Sequence, residues 1–188
     1  MNILSRLVNL VYPSKCSFCG KLISFQKSGI NICSECMDKI KFCASRKRCK
    51  VCGTPLGNPR YRFCQSCFRK AKSNICTYYN GITAAVEYDR NSKRGILNLK
   101  HARSLSSVNT FSNLITAMVK NDFGGVNFDY ITAIPPRRQR MKEIGFDQSG
   151  ALAKKTAKLL SVKYYPNLFK RIRQTCLLYT SPSPRDTR

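Results

Sequence analysis

The sequence predicts an α/β domain preceded by a small cysteine-rich head. The head is announced by four Cys-x-x-Cys pairs, Cys16/Cys19, Cys33/Cys36, Cys49/Cys52 and Cys64/Cys67. The domain is announced by the stretch from Asp129 to Leu160, which reads strand, basic loop, helix. Asp129-Tyr-Ile-Thr-Ala-Ile134 is a β-prone run stopped by Pro135-Pro136, which cannot continue a central ladder. Arg137, Arg138, Arg140 and Lys142 follow, with no acid before Glu143. Asp147 stands at an N-cap position ahead of Ala151 to Leu160, a run of good helix formers with Leu152, Thr156, Leu159 and Leu160 on one face. A strand feeding a helix through a polar loop is half of a βαβ unit, and α/β sheets bind ligands at such strand ends. Four cations in the loop make an anion its natural ligand; the alternative is a solvated basic turn.

At 188 residues there is room for one modest α/β domain and a small accessory domain. Lysine and arginine number 34 against 9 acids, a net charge of +25. If eight cysteines bind two Zn²⁺ as thiolates, eight positive charges are offset and four restored, leaving +21. A field of that size attracts polyanions, whether nucleic acid or phosphorylated small molecules. Eleven cysteines without a signal peptide point to metal rather than disulfides. Residues 1–12 read as a short amphipathic helix, too short to span a bilayer, so no membrane insertion is expected and the cytoplasm is the expected compartment.

The cysteine pairs form two units, offset by 33 residues at their first pairs and 31 at their second. Each unit opens Cys-x-x-Cys-Gly, and Gly20 and Gly53 can take the positive φ that turns backbone amides toward metal-bound sulfur. Thirteen and eleven residues separate the pairs within a unit, a spacing that suits zinc ribbons with tetrahedral Cys₄ sites. Iron–sulfur ligation and an interleaved pairing of the four knuckles are the alternatives. Four thiolates leave no open coordination position, so both Zn²⁺ sites are structural. Residues 13–72 carry few large apolar side chains, and metal must supply much of their folding energy. Cys43 and Cys76 fall outside the pattern and read as small buried hydrophobes. Arg46, Lys47, Arg48, Lys50, Arg60, Arg62, Arg69, Lys70 and Lys72 crowd the second unit. Tyr61 and Phe63 interleave with them, either to stack on bases or, as the favoured reading, to form the ribbon's tiny core.

Ser73 to Tyr79 reads as a linker. Ile82 to Tyr88 follows as a strand and Lys93 to Lys100 as a short helix. His101, the lone histidine, reads as a surface residue. Val108 to Val119 is a helix whose Phe111, Leu114, Ile115 and Met118 face the core, broken by Gly124-Gly125. Val162 to Tyr165 is the next strand.

Ile134-Pro-Pro-Arg-Arg-Gln-Arg-Met-Lys-Glu-Ile-Gly-Phe-Asp-Gln148, with Leu152-Ala153 after it, resembles the signature of the ComF family of phosphoribosyltransferase-like proteins. Asp147 stands where that family usually has Asn, and Pro136 precedes the family's second proline by one position. The resemblance runs from about residue 9 to Thr175 and includes the double ribbon and an Arg-x-x-x-Thr run at Arg171. It implies a type I phosphoribosyltransferase-like (Rossmann-like) domain over residues 78–175. It also implies phosphoribosyl pyrophosphate as ligand, with Mg²⁺ beside it, and Arg137, Arg138, Arg140 and Lys142 on the pyrophosphate. Lys100 and Arg103 would belong to a basic patch over the site. It further implies a role in DNA uptake during natural competence, alongside a DNA helicase, in a bacterial cytoplasm. The rivals are a non-enzymatic adaptor for single-stranded DNA and a metabolic, amidophosphoribosyltransferase-like enzyme.

Such transferases hold the ribose with two adjacent acids and the 5′-phosphate with a Thr/Gly-rich loop. Neither an adjacent acidic pair nor Thr-Thr-Gly occurs in the sequence, so the expected domain is incomplete and keeps only its pyrophosphate side. Cys176 to Arg188 breaks the preceding pattern and back-translates, with one choice of codons, to a string similar to a sequencing-library transposon adapter. The expectation is a non-native tail over 176–188 on a gene cut at Thr175; the alternative is an ordinary Ser-Pro linker.

Overall fold

The computed structural model describes residues 13–24, 29–45, 47–73, 79–101 and 104–172. The predicted N-terminal helix, Arg46, Cys76, Arg103, most of the linker and the 176–188 tail lie outside the described residues. The elements are α1 (Ser34–Lys39), α2 (Gln65–Lys72), α3 (Arg90–His101), α4 (Leu105–Phe123), β1 (Tyr130–Ile131), α5 (Arg138–Ile144), α6 (Gln148–Leu160) and β2 (Lys163–Tyr164). A 3₁₀ turn, Cys43–Ser45, lies between α1 and α2.

Each long helix starts where a short polar side chain satisfies its first free amides. Asp89 Oδ1 accepts from the amides of Asn91 at 3.0 Å and Ser92 at 2.9 Å, opening α3. The Ser92 amide and its neighbours hold the Asp89 carboxyl below the usual carboxylate range. Ser104 Oγ accepts from Ser107 N–H at 3.2 Å to open α4. Asp147 Oδ1 accepts from Gly150 N–H at 2.9 Å, the predicted cap of α6. The helix over 93–100 therefore runs longer than predicted, beginning one residue after its cap.

β1 and β2 pair in parallel, Tyr130 opposite Lys163 and Ile131 opposite Tyr164. Both are shorter than predicted. Pro135 and Pro136 offer no amide to a ladder, and among the described residues this sheet has no third strand. The unit is β1–α5–α6–β2, in which β2 pairs in parallel with the strand of the expected half βαβ unit. The segment expected as a basic loop is instead mostly helix α5. Arg138 to Ile144 contains only helix-competent residues between a proline pair and a glycine, so propensity favours the turn of helix. Ile82 to Tyr88 does not join that sheet. It makes a single antiparallel bridge, Phe42 to Val86, with Cys43 N–H donating to Ala85 O and Glu87 N–H to Lys41 O, each at 3.0 Å. Among the described residues the regular structure is thus mainly helical with few strands, and a complete Rossmann-like domain is not present among them.

The core lies where the cysteine-rich head meets α3 and α4. Cys16, Phe18, Ile32 and Ile40 from the head bury against Leu99, Val108 and Phe111. The Phe18 and Phe111 rings lie 5.1 Å apart, tilted by 52°. Phe18 sits so close to α3 that a Cβ at Gly95 would come within 2.4 Å of its ring. Beside the rings, the buried Thr110 hydroxyl accepts from Ser17 Oγ–H and from Asn31 N–H, both at 2.9 Å, and donates to Ser106 O at 3.1 Å. Asn31 Nδ2 adds a bond to Ser106 Oγ at 2.6 Å. The expected α4 core residues Phe111 and Met118 are buried, while Leu114 and Ile115 are half-buried. Cys43 is buried as predicted, and His101 is exposed as predicted.

Thr110→Val keeps the volume but strips Ser17 and Asn31 of their acceptor, and is expected to cost about 1–3 kcal/mol. Phe18→Ala should cost about 3–5 kcal/mol through the cavity it leaves. Urea unfolding of the zinc-loaded chain checks both; wild-type stability in both variants would show that the head is not held by this contact.

Candidate metal centres and basic cleft

Local chain geometry assembles the cysteines in sequence order. Cys16, Cys19, Cys33 and Cys36 form one cluster and Cys49, Cys52, Cys64 and Cys67 another, the sulfurs of each lying within 4.8 Å of one another. The interleaved pairing is therefore not adopted. Cys19 and Cys33 sulfurs are 3.6 Å apart, as are those of Cys52 and Cys64. A tetrahedron with Zn–S bonds of about 2.3 Å has edges of about 3.8 Å, so the donor sets fit Zn²⁺. The nine described cysteines form no disulfide.

In each cluster the first pair sits on a tight turn. Gly20 N–H donates to Cys16 O and Gly53 N–H to Cys49 O, both at 2.9 Å, with φ of +79° and +70° at the glycines. The second pair opens a helix: α1 follows Cys33 and α2 follows Cys64. Helix-opening amides are natural partners of thiolate sulfur. Cys67 N–H donates to Cys64 Sγ and Cys33 N–H to Cys16 Sγ, each at 3.4 Å.

Burial works against ionisation of Cys16, but amides of Cys19, Cys33 and Phe18 outweigh it and bring the thiol down to about 6. The same balance, with the amides of Cys52, Cys64 and Val51, brings Cys49 down to about 6. Burial and the neighbouring sulfurs push Cys36 up, and push Cys67 up to about 12. Ionisation is thus eased at Cys16 in one cluster and at Cys49 and Cys52 in the other, while it is opposed at Cys36 and Cys67 until a cation offsets the crowded charge.

The two clusters sit in different surroundings. The first is built into the shared core, where Cys16, Cys19, Cys33 and Cys36 all pack. Its nearby cations are partly neutralised, because Glu35 binds both Lys21 and Lys39. Those two lysines hold the Glu35 carboxyl down to about 2. The second cluster is tied on through Arg48, which donates to Gly53 O at 2.7 Å and reaches Glu87 at 3.4 Å. Tyr61, Phe63 and Phe68 on this unit are 65 %, 45 % and 53 % exposed, which corrects the expectation that Tyr61 and Phe63 form its core. The metal and its turns leave these side chains no interior to enter.

A second candidate site lies at the carboxyl end of β1. An open cleft of about 680 Å³ is lined by Lys100, Pro135, Pro136, Arg137, Gln139, Glu143, Gln148 and Arg171, with Ile96, Leu99 and Leu152 behind. Arg171 donates to Pro135 O from Nε and Nη2, both at 3.3 Å. Gln148 Nε2 donates to Lys100 O at 2.6 Å, tying the end of α3 to the start of α6. Of the predicted residues, Arg137 and Lys100 meet here. Arg138 and Lys142 are exposed on α5 outside the lining, and the Arg140 side chain and Arg103 lie outside the described residues. Gln148 ends the Ile134–Gln148 motif and Arg171 opens the Arg-x-x-x-Thr run, but nothing local in the sequence signals their ties to Lys100 and Pro135.

The two centres differ in what their loss should do. Cys36→Ala is expected to lose one of two Zn²⁺ and to loosen the shared core, lowering cooperative thermal stability. Cys67→Ala should also lose one Zn²⁺ but leave the Phe18–Phe111 core folded. Metal analysis with calorimetric unfolding checks this; equal stability loss in the two variants would contradict it.

Among the described residues, no helix is long and apolar enough to cross a membrane. No curated protein and no solved structure matches the chain. Residues 7–68 match the family described as the double zinc ribbon domain, and that span holds both four-cysteine clusters: the head is a double zinc ribbon with two Zn²⁺ sites.

Proposed function

We propose that the cleft beyond β1 binds a diphosphate, and that the chain is a phosphoribosyl pyrophosphate-binding protein of the ComF kind, with a DNA-uptake role in the cytoplasm alongside a DNA helicase. The observation that supports this reading is the convergence of Lys100, Arg137 and Arg171, from three separate segments, on one cleft with Glu143 as its acid. Guanidinium forks match phosphate oxygens two at a time, and lysine supplies a compact charge beside them. The cleft also lies at the carboxyl end of a parallel strand, where α/β units take ligands. Mg²⁺ would accompany the diphosphate as a counter-charge.

Phosphoribosyl transfer needs more than this. A pyrophosphate leaving group is stabilised by fixed cations, which Arg137 and Arg171 can supply. Holding the ribose takes an adjacent acidic pair, and the nine acids of the sequence include none. The expected behaviour of these 188 residues is therefore binding of the diphosphate without turnover.

Titration calorimetry with inorganic pyrophosphate at low salt tests the reading. Arg137→Gln and Arg171→Gln should each weaken binding by roughly ten- to a hundred-fold, the loss of a charged hydrogen bond, while zinc stays at two per chain. Pyrophosphate binding of wild-type strength in both variants would overturn the assignment.

A further inference from the structure

We infer that the two ribbons have divided their work: the first is a scaffold, and the second carries a binding surface for single-stranded nucleic acid. The first ribbon leaves Leu22 and Met37 exposed but buries Phe18, Ile32 and Ile40 against α3 and α4. The second ribbon does the reverse. From Lys47 to Ser73 it carries eight cations and no acid, and its three large aromatics face solvent.

Two adjoining concavities shape that surface. One, of about 460 Å³, runs between the second ribbon and the end of α4, with Lys47, Lys50, Arg60 and Arg62 on the ribbon side and Asp122 on the other. The other, of about 530 Å³, is formed by Arg60, Tyr61, Arg62, Phe63, Gln65 and Phe68. They share Arg60, Tyr61 and Arg62, so a cationic trough passes directly into an aromatic one. Lys72 Nζ lies 5.2 Å from the Phe68 ring centre, keeping a positive charge over that aromatic face.

Charge alone would accept any polyanion. Exposed aromatics beside arginines discriminate, because bases can lie on them only when unpaired and unstacked. An exposed aromatic patch rimmed by cations also costs solubility unless a partner covers it. Phosphates in the Lys47–Arg62 trough with bases on Tyr61, Phe63 and Phe68 match both halves of the surface at once. Stacking reads the face of a base and not its edge, so binding is sequence-tolerant and DNA and RNA strands bind alike. The surface is separate from the diphosphate cleft and shares no lining residue with it.

Fluorescence anisotropy with a labelled 20-nucleotide oligothymidylate and with a duplex of equal length tests the inference on the full zinc-loaded chain. The single strand should bind more tightly than the duplex. Tyr61→Ala, Phe63→Ala and Phe68→Ala should each weaken single-strand binding by about five- to a hundred-fold, with two Zn²⁺ retained. Arg60→Gln and Arg62→Gln should each lower the slope of log affinity against log salt by about 0.7. Arg137→Gln should leave single-strand binding unchanged, so that failure of the diphosphate reading and failure of this one are told apart. Equal affinity for duplex and single strand, or wild-type binding in the three aromatic variants, would overturn the inference.

Discussion

The contact between the first ribbon and α4 is the interaction on which the arrangement rests. A ribbon of about thirty residues has too little interior to fold on burial alone, and metal is the usual remedy. Here the first ribbon has a second remedy: it places Phe18, Ile32 and Ile40 into a core whose other half is helical. Thr110 makes the join specific. Its hydroxyl, fully buried, accepts from Ser17 and Asn31 and donates to Ser106. A buried hydroxyl with every valence met fixes register, because sliding the ribbon by one residue would strand the two bonds that Ser17 and Asn31 donate to it. Metal thus sets the local shape of the ribbon, and the Thr110 site sets where that shape is placed.

That placement also decides how the charge is distributed. In the first ribbon Glu35 engages Lys21 and Lys39, and the apolar side is consumed by α3 and α4. The second ribbon is attached more sparingly, through Arg48 and the close approach of Gly53 to Ile82. Among its described cations Arg48 is turned to structural use, and the other described cations and the aromatics stay outward. At physiological salt, charges more than about 8 Å apart are largely screened, so a local cluster matters more than the net charge of the chain.

Much of this was legible because it was local. Ligand spacing within each ribbon fixed the clusters, Gly20 and Gly53 carried the predicted positive φ, and Asp147 capped its helix. The basic segment after Pro136 reads as a loop because a proline pair stops the strand before it and charges crowd it, yet its residues are helix formers bounded by breakers and they form α5. Tyr61 and Phe63 were placed inside because apolar character says that a side chain tends inward, not whether an inside exists. Thr110 was invisible for another reason. Its partners lie 93 and 79 residues away, and a threonine in a helix carries no sign of them.

The parallel pair β1–β2 is two residues long on each strand, and Ile134, just past β1, is 76 % exposed. Two such strands are too little to hold a ligand site, since parallel sheets gain their rigidity from helices on their faces. The cleft is held instead by α6. This helix packs on α4 and on both strands, its first residue binds Lys100 O, and Asp147 pins its start. Arg171 closes the other side on Pro135 O. The cations are therefore positioned by helix ends and one carbonyl rather than by a sheet. On one flank of the same unit, Ile115, Val119, Phe128, Ile131 and Leu152 line an open apolar hollow of about 660 Å³. Thr132 and Thr156 line it too, with buried hydroxyls that have no hydrogen-bond partner among the described residues. Whatever order the strands have comes from one covered flank, so the precision of the cleft is set by how firmly α6 is seated on α4.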